Sequence, residues 1–132
     1  MNCDFINSLT PEQKAELRKA LEEPTSSIPK YEVRTEYWAN GKIRLLEEYL
    51  NGQLHGKDLE WYENGQKKWE TDWFNGQRHG KDLGWHKNGQ KYWEADYLNG
   101  QRHGKYLGWH EDGRKRRESD YEYSELVKEH VV

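Results

Sequence analysis

YLNGQLHGKDLEWYENGQKKWETD (residues 49–72), WFNGQRHGKDLGWHKNGQKYWEAD (73–96) and YLNGQRHGKYLGWHEDGRKRRESD (97–120) are one 24-residue phrase written three times, and half a copy, YWANGKIRLLEE (37–48), precedes them. Self-similarity at a fixed period decides architecture ahead of any residue-level argument. Each copy is a unit too small to bury its own apolar surface, so copies must stack on one another. Stacked arrays present extended binding or assembly surfaces, which turns the functional search away from a single enclosed active site.

Seven glycines of the array follow Asn or Asp: Gly41, Gly52, Gly65, Gly76, Gly89, Gly100 and Gly113, at spacings that alternate between 11 and 13 residues. Asn-Gly and Asp-Gly tolerate positive φ and are the strongest short hairpin signal. Seven turns predict eight short strands near 31–38, 43–50, 57–62, 66–74, 81–86, 91–98, 105–110 and 115–123. The expected fold is mainly β: an elongated single-layer antiparallel β-meander of stacked hairpin repeats with a short N-terminal helix. Eight strands at about 4.8 Å would extend roughly 35 Å.

Each strand after a His-Gly step carries Leu and then Trp two residues on: Leu59/Trp61, Leu83/Trp85 and Leu107/Trp109. The following strands offer Trp69, Thr71, Trp73 and Trp93, Ala95, Tyr97, a column that Tyr49 and Tyr121 extend. Period two places alternate residues on one face. Together these predict an aromatic ladder on one face, with Glu70/Asp72, Glu94/Asp96 and Glu118/Asp120 as a solvated acidic stripe on the other. A strict count across Asn75-Gly76 sets Asp72 against His79 and Glu70 against Lys81, and likewise Asp96 against His103 and Glu94 against Lys105, all favourable cross-strand pairs. That count also puts Leu83 and Trp85 on the face opposite Trp73. A bulge at Gly56, Gly80 and Gly104 restores parity, as would a three-residue loop; the bulge is preferred, because Gly inside a strand often marks one.

The chain divides into a helix and linker (1–30), the repeat sheet (31–123) and a C-terminal tail (124–132) whose docking the sequence leaves open. Within 8–23, Thr10 is suited to cap a helix, Pro11 to its first position, and Gln13 to complete a capping box. Leu17, Ala20 and Leu21 make a narrow apolar stripe that Phe5, Ile6 and Leu9 extend, and PTSSIP (24–29) ends the helix.

Composition bounds the rest. Only 33% of the 132 residues are hydrophobic and 34% are charged, yet there are seven Trp and nine Tyr at fixed phase, so a folded chain with a thin core is expected. Net charge is −3 and pI about 6.1, which offers no general attraction to nucleic acid or an anionic membrane. No run of about 18 apolar residues predicts a membrane span, and the polar N-terminus does not read as a signal peptide. A single cysteine, Cys3, excludes an intramolecular disulfide and favours an intracellular setting.

His55, His79 and His103 recur every 24 residues, as do His86 and His110. Equivalent positions in stacked hairpins lie about two strand spacings, near 10 Å, apart, too far to share a zinc ion bound at about 2.0–2.1 Å. Each His is therefore expected to pack at a turn beside Asp or Glu, with no metal or other cofactor. The Asp72/His79 and Asp96/His103 pairs resemble acid–base dyads, but a repeated pair on an open sheet is not a unique enclosed constellation, so no enzymatic activity is expected. The cluster Arg114, Lys115, Arg116 and Arg117 is the one candidate contact for anions or lipid headgroups, and neighbouring acids weaken it.

The phrase Tyr/Trp-x-Asn-Gly-Gln-x-His-Gly-Lys, at 49–57, 73–81 and 97–105, resembles the MORN repeat, and more closely its Asn-Gly-rich variant in bacterial antitoxin-like and giant-virus proteins. The resemblance spans residues 37–123 and implies a twisted single-layer sheet of hairpins that serves as scaffold, dimerisation module or phospholipid binder. The wording HGKDLGWHxNGQ looks most like MORN proteins of large amoeba-infecting viruses. Arg117, where other copies have Trp69 and Trp93, departs from the pattern as a polar capping repeat would. The function expected is a non-catalytic scaffold that binds a protein partner, or itself, through Trp61, Trp69, Trp73, Trp85, Trp93, Tyr97 and Trp109, with a viral structural or assembly component as one setting. An antitoxin-like protein acting through the acidic stripe and a phospholipid-binding module are the alternatives.

Overall fold

The computed structural model describes residues 8–22 and 28–132; Cys3, Phe5, Ile6 and the linker residues 24–27 lie outside them. One helix, α1 (Pro11–Glu22), precedes β1 (Tyr31–Tyr37), β2 (Ile43–Leu50), β3 (Gln53–Trp61), β4 (Lys67–Phe74), β5 (Gln77–Trp85), β6 (Lys91–Leu98), β7 (Gln101–Trp109), β8 (Lys115–Glu122) and β9 (Glu125–Glu129). The strands form a single antiparallel sheet in strict sequence order, the meander that the glycine spacing implies. The ninth strand comes from the tail: Tyr123 and Ser124, at φ 46° and 68°, turn β9 back onto β8.

The seven Asn-Gly or Asp-Gly turns are of two kinds. At Asn51-Gly52, Asn75-Gly76 and Asn99-Gly100 both residues have positive φ, 47° and 78° at the middle turn, which makes a tight two-residue hairpin. Strands resume at once, so β3, β5 and β7 begin at Gln53, Gln77 and Gln101 rather than at the expected 57, 81 and 105. At Gly41, Gly65, Gly89 and Gly113 only the glycine has positive φ. The loop there is longer: Gly65 N donates to Tyr62 O at 2.9 Å, and Tyr62 N to Gln66 O at 2.8 Å. Asn64 holds it through its side chain, accepting from Gln66 N at 2.9 Å and donating to Lys87 O of the next loop at 3.1 Å. Asn40 and Asn88 make the same bridges to Glu63 and Glu111, so this edge is laced repeat to repeat.

Register corrects the single-face ladder. Trp73 lies opposite Arg78 and Thr71 opposite Asp82, so one residue of β4 faces three of β5. Gly80 sits in that bulge at φ 91°, with the Asp72 carboxylate 3.1 Å from where a Cβ would stand. The bulge is at the expected glycine, but it takes up two extra residues. An even offset preserves side-chain alternation, so it does not restore parity. Trp69, Thr71 and Trp73 share their face with Asp58, Asp82 and Gly84, while Leu59 and Leu83 both oppose Glu70 on the other. The aromatics are thus divided between two faces.

The second face carries the Leu-x-Trp pairs among the acids. Its lysines pair forward rather than back: Lys57 meets Asp72 at 2.6 Å, Lys81 meets Asp96 at 2.8 Å and Glu94 at 3.3 Å, and Lys105 meets Glu118 at 3.4 Å and Asp120 at 3.5 Å. The expected Glu70–Lys81 and Glu94–Lys105 pairs do not form, because the two-residue offset sets Glu70 opposite Leu83 and Glu94 opposite Leu107; Lys81 faces Asp96 of β6 instead. Helix α1 packs on this face, away from the predicted Trp column. Leu9 and Leu17 bury against Phe74 and Leu50, beside the tight turns. Its capping box is present as read: Gln13 N donates to Thr10 Oγ1 at 3.2 Å, and Thr10 N to Gln13 Oε1 at 3.0 Å.

Candidate functional site

The first face is built from three rows that cross the strands. The row nearest the tight turns runs Trp73, Arg78, Tyr97, Arg102, Tyr121. The middle row is short: Asp58, Thr71, Asp82, Ala95, then Tyr106 and Ser119. The row nearest the long loops runs Glu60, Trp69, Gly84, Trp93, Gly108, Arg117. Over Asp58, Thr71 and Asp82 the short middle row, with Trp69 and Trp93 on one side and Arg78 on the other, makes a trough. Gly84 is needed there for space: a Cβ would stand 2.5 Å from Trp93 Cε3, so the indole lies over the glycine backbone.

Cations and rings alternate in the first row. The Arg78 guanidinium lies 5.7 Å from the Trp73 ring and 5.3 Å from the Tyr97 ring. Arg102 lies 5.3 Å from both Tyr106 and Tyr121. Both donate to the Tyr97 hydroxyl, Arg78 Nη1 at 3.2 Å and Arg102 Nε at 3.4 Å. Guanidinium over an aromatic face is electrostatically favourable and keeps both groups in fixed orientation. In the trough floor, Thr71 Oγ1 donates to Asp82 Oδ1 at 2.9 Å. Burial and the nearby Glu47 carboxylate push the Asp58 carboxyl up to about 6.

Of the residues the sequence nominated, Trp69, Trp73, Trp93 and Tyr97 come together here, all half-buried. Trp61, Trp85 and Trp109 lie on the opposite face, also half-buried. There Lys67 sits 5.6 Å above the Trp85 ring and Lys91 5.8 Å above that of Trp109. The basic cluster does not converge: Arg114 bonds Asp112 at 2.6 Å, Lys115 bonds Glu118 at 3.2 Å, Arg116 stacks 5.2 Å over Tyr92, and Arg117 reaches Glu129 at 3.1 Å. Arg117 also bonds Ser119 Oγ and the Tyr121 hydroxyl, beside β9 rather than at a free terminal face.

The repeat histidines bond turn backbone or α1 rather than acids; His130, beyond the array, meets Asp120 at 2.7 Å. His55 Nδ1 accepts from Asn75 N of the next tight turn at 3.2 Å, and His103 Nδ1 from Tyr123 N at 3.4 Å. His79 is engaged by helix α1 through Gln13 Nε2 at 3.2 Å. At the other edge His86 Nε2 contacts Trp109 O at 3.2 Å, where Tyr62 Oη donates to Trp85 O at 2.8 Å. Among the described residues no three His, Cys, Asp or Glu side chains gather as a metal site, and no helix is long and apolar enough to cross a membrane.

Sequence reasoning passed over Arg78 and Arg102. A signal was available: the position two before the His-Gly glycine reads Leu54, Arg78 and Arg102 in successive copies, a variable column in an otherwise repeated phrase. No family model matches this sequence, and no curated protein matches it significantly.

Proposed function

We propose that this chain is a non-catalytic repeat scaffold, of the kind its MORN-like phrase implies, that binds a protein partner through the face carrying Trp69, Trp73, Trp93 and Tyr97. The observation that carries this reading is the placement of α1 on the opposite face, which leaves the aromatic and arginine rows open to solvent among the described residues. Trp, Tyr and Arg are the residue types that dominate interface energetics. A structural or assembly role, in a virus or a cell, suits such a surface. The acidic columns are neutralised within the sheet by Lys57, Lys81 and Lys105, and the basic cluster is dispersed among its own partners, so both are weaker candidates than the aromatic face.

The test is affinity capture of the tagged chain from its native source, with two variants in parallel. A partner retained by Trp85→Ala and lost by Trp73→Ala/Tyr97→Ala supports the aromatic face. A partner retained by both, or lost only with Trp85→Ala, sinks it.

A further inference from the structure

Arg78 and Arg102 share a single neutral acceptor, the Tyr97 hydroxyl, at 3.2 Å and 3.4 Å. Two guanidiniums held on one uncharged oxygen repel each other and leave donors unused, since each carries five N–H groups. Asp82 approaches Arg78 at 3.8 Å, and among the described residues no carboxylate pairs with Arg102, whose other contacts are the Tyr106 and Tyr121 rings. The two cations open into a groove of about 550 Å³, flanked by Trp73 and Tyr97 and bordered by the turn glycines Gly76 and Gly100.

We propose that this groove takes a carboxylate of the protein partner, an Asp or Glu side chain, clamped between Arg78 and Arg102 with an adjoining apolar residue against Trp73. This names the chemistry of the partner and rests on the protein-binding reading above. Charge decides between oxyanions. Asp82, with Asp58 farther off, offsets Arg78, while Arg102 has no carboxylate among the described residues and supplies the unmatched positive charge that a carboxylate monoanion balances. A phosphoryl dianion would leave a negative charge uncompensated next to Asp82. The planar fork of each guanidinium suits two parallel bonds to a carboxylate, and the ring stacking holds the forks in place before the ligand arrives.

The full chain is titrated by calorimetry with an acetylated, amidated hexapeptide of alternating Asp and Phe, with its Asn-Phe counterpart and with inorganic phosphate. Expected is binding of the Asp peptide at least about tenfold tighter than the Asn peptide or phosphate, a loss of about tenfold or more in Arg78→Gln/Arg102→Gln, and NMR shifts at the Trp73 indole N–H and Arg102 Nε–H. Arg78→Gln alone, at an exposed position, gives the same reading if the double variant melts early. Equal binding of the Asn peptide, unchanged binding by the arginine variants, tighter binding of phosphate, or no binding of the Asp peptide at all overturns the proposal. Partner capture that survives the arginine variants but not Trp73→Ala/Tyr97→Ala removes this inference and leaves the proposed function standing.

Discussion

His55 is fully buried, and its Nδ1 must stay unprotonated to accept the Asn75 amide. Burial lowers its pKa from the ordinary 6.5. A histidine held neutral in the folded state takes up its proton more readily when unfolded, so its contribution is complete above 6.5 and is lost as pH falls from there through the folded value. The melting temperature is expected to hold above about pH 7 and decline below about 6.5. His55→Gln is expected to cost about 1–3 kcal/mol at neutral pH, with the gap to wild type narrowing in acid; a constant gap in a melting series across pH counts against this role. Gly84 offers a test of space rather than charge. Gly84→Ala drives a methyl into the Trp93 indole and is expected to cost about 1–3 kcal/mol in denaturant unfolding. Gly108→Ala meets the flexible end of Arg116 at 3.4 Å and Arg117 Cβ at 3.7 Å, both ordinary contacts, and should stay within about 0.5 kcal/mol.

At the scale of elements, the two turn types use asparagine for different reasons. In the tight turns Asn51, Asn75 and Asn99 adopt positive φ themselves. In the long loops the side chain works instead, bracing its own loop and the next. Asn88 accepts from Gln90 N at 3.0 Å and donates to Glu111 O at 2.9 Å, whereas Asp112 of the last loop bonds only Arg114, within its own loop. Asn88→Ala is therefore expected to lower stability by about 1–2 kcal/mol and Asp112→Ala by roughly half of that. Equal losses, by thermal unfolding of both variants, would show that the bridge between loops contributes nothing. Both turn classes read alike in the sequence because Asn-Gly serves either; only the spacing of backbone partners across the hairpin separates them.

For the whole molecule, a single layer with a thin core has little to hold its ends. The described core is small, comprising Leu9, Leu17, Phe74, Ala95 and Tyr121, while exposed apolar side chains gather at β1 and beyond β8, among them Val33, Tyr37, Tyr123, Leu126 and Val127. Stability in such arrays is passed between neighbours, so the ends open first. Arg117 ties β9 down through Glu129, which also accepts from Ser119 Oγ at 2.7 Å. Arg117→Ala is expected to speed hydrogen exchange of the β9 amides severalfold and leave β4 to β6 unchanged. Faster exchange in the central strands as well would mean that the sheet opens as one unit.

The 24-residue phrase alone determined the meander and its hairpin positions, and the short stretch Thr10–Gln13 determined the capping box of α1, because turn glycines and caps act over a few residues of chain. The division of the aromatics between two faces was decided only in the assembled sheet. The bulge at Gly56, Gly80 and Gly104 absorbs two residues rather than one, an offset fixed by pairing with the neighbouring strand, which local sequence does not encode. The same holds for Arg78 and Arg102: their stacking, and the hydroxyl they share, exist only once strands from successive repeats lie side by side.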